Sequence, residues 1–272
     1  MIHEFVNLKD YYDKLNNDCT LEIYALDNRE GLSLGRLRKS ILLLPGGAYQ
    51  HISFREGEVT ALRFIGHDIP CFILHYSCAE KVKLPIPLIE VFAGIDFIRK
   101  NYEKYHIDKD KISVCGFSAG GHLAGLACAN HTNSEYSELL GIELDNMKIN
   151  GCILGYPVIS YEYKEDLTFD TISCGNNELA KNLSIEKLVN KDFPKTFIVH
   201  TSSDDFVKVQ NSLVLAKALS DNGIFLEMHI YPTGDHGMAL SDNSVMSNEA
   251  NNDNIYNSKW VDLAIHFVKE YV

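Results

Sequence analysis

The stretch Gly116-Phe117-Ser118-Ala119-Gly120 decides the fold of this chain. Before it, Lys111–Cys115 has the apolar character of a buried strand, and after it Gly121–Ala127 has the pattern of a starting helix. Gly-x-Ser-x-Gly between a strand and a helix is a nucleophile elbow, a sharp turn that presents one serine hydroxyl at the top of a sheet. The turn requires its two glycines, because a side chain there would collide with neighbouring backbone. The motif therefore predicts Ser118 as the nucleophile of a serine hydrolase.

Apolar segments of strand length recur along the rest of the chain, with helical patterns between them. Continuous apolar runs indicate strands buried on both faces, as in a parallel sheet. Their alternation with helices predicts an α/β fold with a mostly parallel, doubly wound sheet flanked by helices. Together with the elbow motif, this makes an α/β-hydrolase fold the expectation. An earlier pair of segments, Leu21–Leu26 and Leu32–Leu37, is expected to form an antiparallel edge. The other predicted strands are Ser40–Leu44, Cys71–Tyr76, Ile112–Cys115, Gly151–Tyr156, Thr196–Thr201 and Phe225–Tyr231.

Two polar segments, residues 130–150 and residues 160–191, interrupt this alternation. The pattern places both after elbow or strand ends, where a substrate would lie. Each is therefore a candidate for a small cap over the site, and an inert surface excursion fits each equally well. No internal repeat and no low-complexity linker is visible in the sequence, so we expect one domain over residues 1–272.

Composition limits the partners of this chain. Apolar residues make up 46% and charged residues 23%, which is typical of a globular protein with a full core. No run approaches the roughly 18 apolar residues of a membrane helix, and the first ten residues lack the layout of a signal peptide, so a cytoplasmic location is expected. A net charge of −12 repels nucleic acid and anionic membranes. The seven cysteines contain no Cys-x-x-Cys pair and are expected to be reduced core thiols.

A serine nucleophile needs a base to take its proton and a carboxylate to orient that base. In the α/β-hydrolase arrangement the acid and then the histidine follow the serine, each just after a strand. The predicted strand 196–201 is followed by the adjacent carboxylates Asp204 and Asp205, of which only one can point at an imidazole. The last predicted strand is followed by His236 in a glycine-flanked loop, which makes His236 the candidate base. We expect His200 and His229, which lie within strands, to be packing residues.

The oxyanion of an acyl-transfer intermediate also needs hydrogen-bond donors. The N–H of Ala119, directly after the serine, is one candidate. The second is expected from the turn Pro45–Tyr49 after the first central strand, where Gly47 or Ala48 can bring a backbone N–H to the substrate. No His or Asp pair has zinc-like spacing, and the elbow lacks the Lys-Ser/Thr of a phosphate-binding loop, so neither a metal nor another cofactor is expected.

The joint pattern resembles the bacterial α/β-hydrolase esterases grouped with acetyl xylan esterases and related sugar-ester hydrolases. The resemblance covers residues 40–240 and implies Ser118 as nucleophile, Asp204 as acid, His236 as base and oxyanion donors near Gly47 and Ala119. Two departures concern the shape of the pocket: Lys208 stands where relatives usually have proline, and Ala48 replaces a third glycine. The motifs that carry the resemblance are Leu44–Tyr49, Arg55–Glu58, Ile107-Asp108 with Lys111-Ile112, Gly116–Ala124, and Asp204-x-x-Val207 followed by His236-Gly237.

From these residues we expect hydrolysis of a short-chain carboxylic ester, an acetyl group on a sugar or small alcohol, through an acyl-enzyme on Ser118. Two alternatives remain: a small serine peptidase of the prolyl-oligopeptidase type, which usually carries an additional propeller domain, and a non-catalytic hydrolase-fold binding protein, which typically lacks the serine or the base. Several residues after strand ends are candidates either for the substrate pocket or for packing at the core edge. They are Tyr49, Tyr76, Tyr156, Pro157 and Phe206.

Overall fold

The computed structural model describes residues 1–31, 34–163, 167–246 and 252–272. Its strands are β1 (Ile2–Asn7), β2 (Thr20–Ala25), β3 (Arg38–Leu44), β4 (Cys71–His75), β5 (Ile107–Phe117), β6 (Gly151–Gly155), β7 (Lys195–Thr201) and β8 (Leu226–Tyr231). They form one sheet in the order β1-β2-β4-β3-β5-β6-β7-β8. Neighbours from β4 through β3 to β8 are parallel, whereas β2 runs antiparallel to both β1 and β4. The predicted mostly parallel sheet is confirmed.

Helices cover both faces of this sheet because successive side chains of each buried strand point to opposite faces. In β3, for example, Leu42 and Leu44 belong to one apolar core and Ile41 and Leu43 to the other. The described helices are α1 (Glu58–Ile65), α2 (Ile86–Lys100), α3 (Tyr102–Tyr105), α4 (Ala119–Asn130), α5 (Ser134–Leu140), α6 (Thr168–Ile172), α7 (Asn177–Asn182), α8 (Gln210–Asp221), α9 (Asn252–Asn257) and α10 (Trp260–Tyr271). Helices α1 and α10 pack on the face of Ile41, and α2, α4 and α8 pack on the face of Leu42.

The antiparallel edge differs from the prediction in one strand. The partner of β2 is β1, with Phe5 opposite Glu22, and not the segment Leu32–Leu37. Residues 34–37 form turn and coil, while Leu32 and Ser33 lie outside the described residues. As an edge strand, β1 leaves most of its side chains at least partly exposed, with Phe5 itself 62% exposed, so it lacks the continuous apolar run that marks the central strands.

Of the two possibilities left open for residues 130–150, the structure favours the surface excursion. Helix α4 starts at the elbow and runs back along the sheet, and the Asn150 N–H donates to the Ile112 carbonyl at 2.9 Å at the amino-terminal end of β6, away from Ser118. The segment packs against α2, with the Tyr136 ring 5.7 Å from that of Phe92. The Asn146 side-chain amide donates to Asp96 Oδ1 at 2.7 Å.

Residues 160–191, by contrast, follow β6 at the carboxyl ends of the parallel strands, where the elbow lies. Helix α6 packs beside the elbow helix, with the Phe169 ring 5.1 Å from that of His122. The Gln50 side-chain amide donates to the Thr171 hydroxyl at 2.8 Å, which ties α6 to the turn after β3. Residues 164–166 lie outside the described part of the chain. A capping role for this segment stays a prediction.

Candidate active site

The elbow holds Ser118 in a conformation that few serines adopt. Ser118 has φ 52° and ψ −120°, directly between β5 and α4. A positive φ of this kind is strained for a residue with a side chain and is typical of functional turns. The Ser118 N–H donates to the Gly155 carbonyl at 3.0 Å, which anchors the turn to β6. A Cβ at Gly120 would collide with the Leu44 carbonyl oxygen, so the turn passes β3 at a distance that only glycine permits.

The structure brings the three predicted side chains of the triad together. Ser118 Oγ lies 2.9 Å from His236 Nε2. The other ring nitrogen, Nδ1, lies 2.8 Å from Asp204 Oδ2. Since a carboxylate only accepts, Nδ1–H donates to Asp204, and Nε2 is left to accept the proton of the Ser118 hydroxyl. This tautomer is the one that a general base requires.

Of the two adjacent carboxylates, only Asp204 faces the imidazole. Its Oδ1 accepts from the N–H groups of Phe206 at 3.0 Å and Val207 at 2.9 Å. Burial alone would raise the pKa of Asp204, but the hydrogen bonds from His200, His236 and the Val207 N–H lower it well below its usual range. The Asp205 side chain is fully exposed, with Lys208 Nζ 3.5 Å away. Asp204 is thus held as an anion against the histidine.

His200 contacts the acid, a role that the sequence reasoning missed. It lies fully buried in β7, as expected, with Nε2 donating to the Val207 carbonyl at 2.9 Å and Nδ1 2.7 Å from the Ser212 hydroxyl. The same Nε2 lies 3.4 Å from Asp204 Oδ2. The available signal was a histidine in an apolar strand, four residues before the acid.

The turn after β3 passes directly over the serine. Gly47, Ala48 and Tyr49 have φ values of 124°, 52° and 58°, and a Cβ at Gly47 would collide with the His51 carbonyl oxygen. A methyl group placed on Gly46 would lie 2.9 Å from Ser118 Cβ, which shows how close the turn comes. On the other side of the serine, Ala119 is the first residue of α4, so its N–H has no acceptor within the helix. The dipole of the helix adds a positive potential there.

Glu56 is a second buried residue of the site without a predicted role. It ends a short helical turn, Phe54–Glu56, and is 3% exposed. Its Oε2 accepts the Gly46 N–H at 2.6 Å, and its Oε1 accepts the Tyr156 hydroxyl at 2.7 Å. Burial raises the pKa of Glu56, and the hydrogen bonds from Tyr156 and Gly46 only partly offset that effect. In the sequence, Glu56 was visible only as part of the motif Arg55–Glu58.

The five candidate pocket residues separate by exposure. Tyr49, Tyr76 and Tyr156 are 0%, 3% and 1% exposed, and Pro157 is also buried. The Tyr49 hydroxyl lies 3.1 Å from His122 Nδ1, and the Tyr76 hydroxyl donates to the Pro45 carbonyl at 2.5 Å. These side chains hold backbone and neighbouring rings in place. Phe206, in contrast, is 48% exposed, with its ring 5.1 Å from that of His236.

Neither metal sites nor membrane spans are found in the described ranges. No group of three His, Cys, Asp or Glu side chains there has an arrangement that could hold a metal ion. No helix among the same residues is long and apolar enough to cross a membrane.

A parallel sheet that presents an elbow serine to a histidine and a buried aspartate is the arrangement of the α/β-hydrolases. Comparison with known proteins agrees with this class. Residues 33–219 match the model of the BD-FAE family, and the chain belongs to this family.

Among curated proteins, the chain is 31% identical over 221 residues to endo-1,4-beta-xylanase B of Butyrivibrio fibrisolvens, and this match covers 77% of the chain. It is 27% identical over 211 residues, 74% of the chain, to the acetylxylan esterase of Xylanibacter ruminicola. The matched regions span only 34% and 41% of those longer relatives.

A solved structure matches over nearly its whole length. The acetyl ester-xyloside bifunctional hydrolase of Caldicellulosiruptor lactoaceticus superposes with a TM-score of 0.82 at 29% identity, covering 98% of this chain and 95% of that one. Together these comparisons agree with the α/β-hydrolase fold and the BD-FAE family of this chain.

Proposed function

We propose that this chain is a serine esterase that hydrolyses short-chain carboxylic esters, with acetyl groups on a sugar or small alcohol as its substrates. The supporting observation is the continuous hydrogen-bonded line from Ser118 through His236 to Asp204, with distances of 2.9 Å and 2.8 Å. A nucleophile, a base and an orienting anion in this order are what acyl transfer needs.

In the acylation step, Ser118 Oγ attacks the ester carbonyl carbon while His236 Nε2 accepts the hydroxyl proton. Negative charge then develops on the former carbonyl oxygen. The N–H of Ala119 and an N–H of the Gly47–Ala48 turn are the proposed donors to this oxygen, because both backbone segments flank Ser118. The charge of Asp204 stabilises the imidazolium that forms at His236.

The acyl-enzyme forms when the tetrahedral intermediate collapses and the bond to the alcohol oxygen breaks. His236 gives its proton to that oxygen, and the alcohol leaves. A water molecule then loses a proton to His236 and attacks the acyl carbon. The second collapse returns the proton to Ser118 Oγ and releases the carboxylic acid.

The proposed substrate class draws on the relatives and on one exposed side chain. One relative is named an acetylxylan esterase, and one similar structure is that of an acetyl ester-xyloside bifunctional hydrolase. Phe206 presents a half-exposed ring beside His236, where an apolar face suits an acyl group or a sugar ring. The net charge of −12 repels nucleic acid and anionic membranes, so neither is proposed as a partner. The proposed partner is a small ester.

The deciding experiment compares Ser118→Ala with the wild type on p-nitrophenyl esters of increasing acyl length and on acetylated xylo-oligosaccharides. We expect the variant to lose at least ~10⁴-fold in kcat, as removal of a nucleophile does elsewhere. The wild type should hydrolyse the acetate ester faster than esters with longer acyl chains, and a fluorophosphonate should label it at Ser118. Ser220→Ala, an exposed serine of α8, is the matched control and should behave as wild type.

Two other outcomes would replace this proposal. Faster turnover of aminoacyl arylamides than of acetyl esters would make the protein a peptidase. Absence of both turnover and labelling at Ser118 in a folded wild type would make it a non-catalytic binding protein.

A further inference from the structure

The Glu56 carboxylate joins the two loops that meet at Ser118. One of its oxygens accepts a hydrogen bond from the Gly46 N–H at 2.6 Å, and the other accepts one from the Tyr156 hydroxyl at 2.7 Å. Glu56 is only 3% exposed, so it acts through its contacts within the protein.

The Tyr156 side chain carries this contact to the loop that holds the base. Since its hydroxyl proton is donated to Glu56, the hydroxyl oxygen is free to accept, and it takes the Ala239 N–H at 3.0 Å. The Tyr156 ring meets the His236 ring edge-on, with centroids 5.2 Å apart and planes at 75°. Ala239 itself has a positive φ of 47°, and its carbonyl accepts from Trp260 Nε1 at 2.9 Å. The backbone after His236 is thus fixed from two sides.

The Gly46 contact acts on the other loop. Gly46 directly precedes the Gly47–Ala48 turn, and its carbonyl accepts the Ser53 N–H at 3.0 Å. With the N–H of Gly46 bound to Glu56 and its carbonyl bound to the Ser53 N–H, neither of the two peptide units that meet at Gly46 can rotate without breaking a hydrogen bond. The direction of the turn toward Ser118 therefore depends on the Glu56 carboxylate.

We propose that Glu56 is a positioning residue that fixes the oxyanion turn and the His236 loop relative to each other. This role rests on the proposed esterase function. Both strong contacts of Glu56 come from donors, Gly46 N–H and Tyr156 O–H, so a group that accepts on both oxygens is needed. A glutamine has only one accepting oxygen, so its NH₂ group would either face the Gly46 N–H and lose that contact or face the Tyr156 hydroxyl, which could then no longer donate to it.

The test measures kcat and KM separately for Glu56→Gln and Tyr156→Phe, with p-nitrophenyl acetate as substrate. Active sites are counted by fluorophosphonate labelling of Ser118, so unfolded molecules do not enter kcat. Glu56→Gln should lower kcat about 10- to 100-fold with KM within about threefold, because misplaced oxyanion donors and base cost rate more than ground-state binding. Tyr156→Phe keeps the ring against His236 and the Glu56–Gly46 contact, and should lose about fivefold.

Glu58→Gln is the matched control, an exposed carboxylate two residues further along the chain, and should keep wild-type kcat. The affinity of a boronic acid inhibitor, which forms a tetrahedral adduct at the serine, should fall in parallel with kcat for the two site variants. A purely structural role for Glu56 would lower Tm and leave both the labelled-site kcat and the boronate affinity at wild-type values. That result would overturn the proposal. If Glu56→Gln does not fold, the same comparison of labelled-site kcat and boronate affinity is made with Tyr156→Phe.

A readout without turnover separates this role from the proposed function. In ¹H–¹⁵N spectra, the amide signals of Gly47 and Ala48 and the signals of His236 should all shift in Glu56→Gln and stay in place in Glu58→Gln. If these shifts occur while the wild type neither hydrolyses esters nor reacts with the fluorophosphonate, the esterase function fails and the positioning role stands. If the wild type is active and the signals of both loops stay in place, the positioning role fails.

Discussion

The loops after β7 and after β3 each bring one buried carboxylate close to His236, but the two carboxylates differ in pKa. In the first loop, interactions with the donors around Asp204 outweigh burial and lower its pKa well below the usual range. In the second loop, burial outweighs the donors around Glu56 and raises its pKa. Burial and the donors around each carboxylate therefore act in opposite directions on its pKa, and the balance between them differs between the two loops.

The donors follow from the backbone of each loop. The turn Ser202–Val207 points two consecutive N–H groups at Asp204 Oδ1, and two imidazoles approach Oδ2. Glu56 receives one backbone N–H, from Gly46, and the hydroxyl group of Tyr156. Hydrogen bonds from backbone N–H groups and imidazoles favour the charged form strongly, which suits a residue that must face an imidazolium. Glu56 bonds to Gly46 and Tyr156 instead of an imidazole, and its proposed role is to fix the positions of the two loops.

The largest expected effect comes from Asp204→Asn. The amide keeps the shape of the side chain, but its NH₂ group cannot accept the hydrogen bond from Nδ1–H of His236. His236 then adopts the wrong tautomer, and kcat for p-nitrophenyl acetate should fall about 10³- to 10⁴-fold. Asp205→Asn changes the same group one residue further on, in a fully exposed side chain, and should stay within about twofold of wild type. Equal losses in the two variants would remove the distinction between Asp204 and its neighbour.

Most of the sheet could be predicted because its central strands are buried on both faces and therefore continuously apolar. The prediction failed where that condition fails, as in β1, whose exposed Phe5 and charged neighbours resemble loop sequence. For residues 130–150 the sequence reasoning left a cap and a surface excursion equally open, although the order of the elements favours the excursion. Helix α4 starts at the elbow and runs back along the sheet, so the segment after it emerges at the end of the strands opposite Ser118.

The residues of the site also fall into those that could be predicted from the sequence and those that could not. Ser118, Asp204 and His236 could be chosen because the α/β-hydrolase arrangement fixes their order and their positions after strands, and the resemblance then selected Asp204 over Asp205. His200 and Glu56 carry no such positional signal. Their contacts depend on side chains that are distant in sequence, such as Tyr156 for Glu56, and apolar periodicity does not report buried polar pairs.

A smaller effect is expected from His200, which contacts the acid and not the substrate. His200→Phe removes one contact to Asp204 Oδ2 and the bonds to Val207 and Ser212. We expect kcat to fall about tenfold, since one charge-assisted hydrogen bond is worth roughly 1.5 kcal/mol, with a lower Tm. His229→Gln, on the neighbouring strand and paired with Glu227 at 2.8 Å, is the matched control. A wild-type kcat in His200→Phe would mean that the backbone N–H groups alone hold the acid.

The smallest effects concern stability, and here the two carboxylates should act with opposite sign. The pKa of Asp204 is lower in the folded than in the unfolded chain, so the unfolded chain binds its proton more readily below the ordinary Asp value of about 3.9. Its contribution is present above that value and is lost as the pH falls. The pKa of Glu56 is higher in the folded chain, so its contribution is present at low pH and is lost as the pH rises above the ordinary Glu value of about 4.3.

Urea unfolding between pH 3 and pH 7, followed by fluorescence of the single tryptophan, the buried Trp260, measures both contributions. The stability difference between wild type and Asp204→Asn should grow from pH 3 to pH 5. The difference between wild type and Glu56→Gln should shrink from pH 4 to pH 7. A shift of one pKa unit corresponds to about 1.4 kcal/mol, which is well within the resolution of a urea midpoint. If both differences fell as the pH rises, burial would outweigh the donors at both carboxylates; if both grew, the donors would outweigh burial at both.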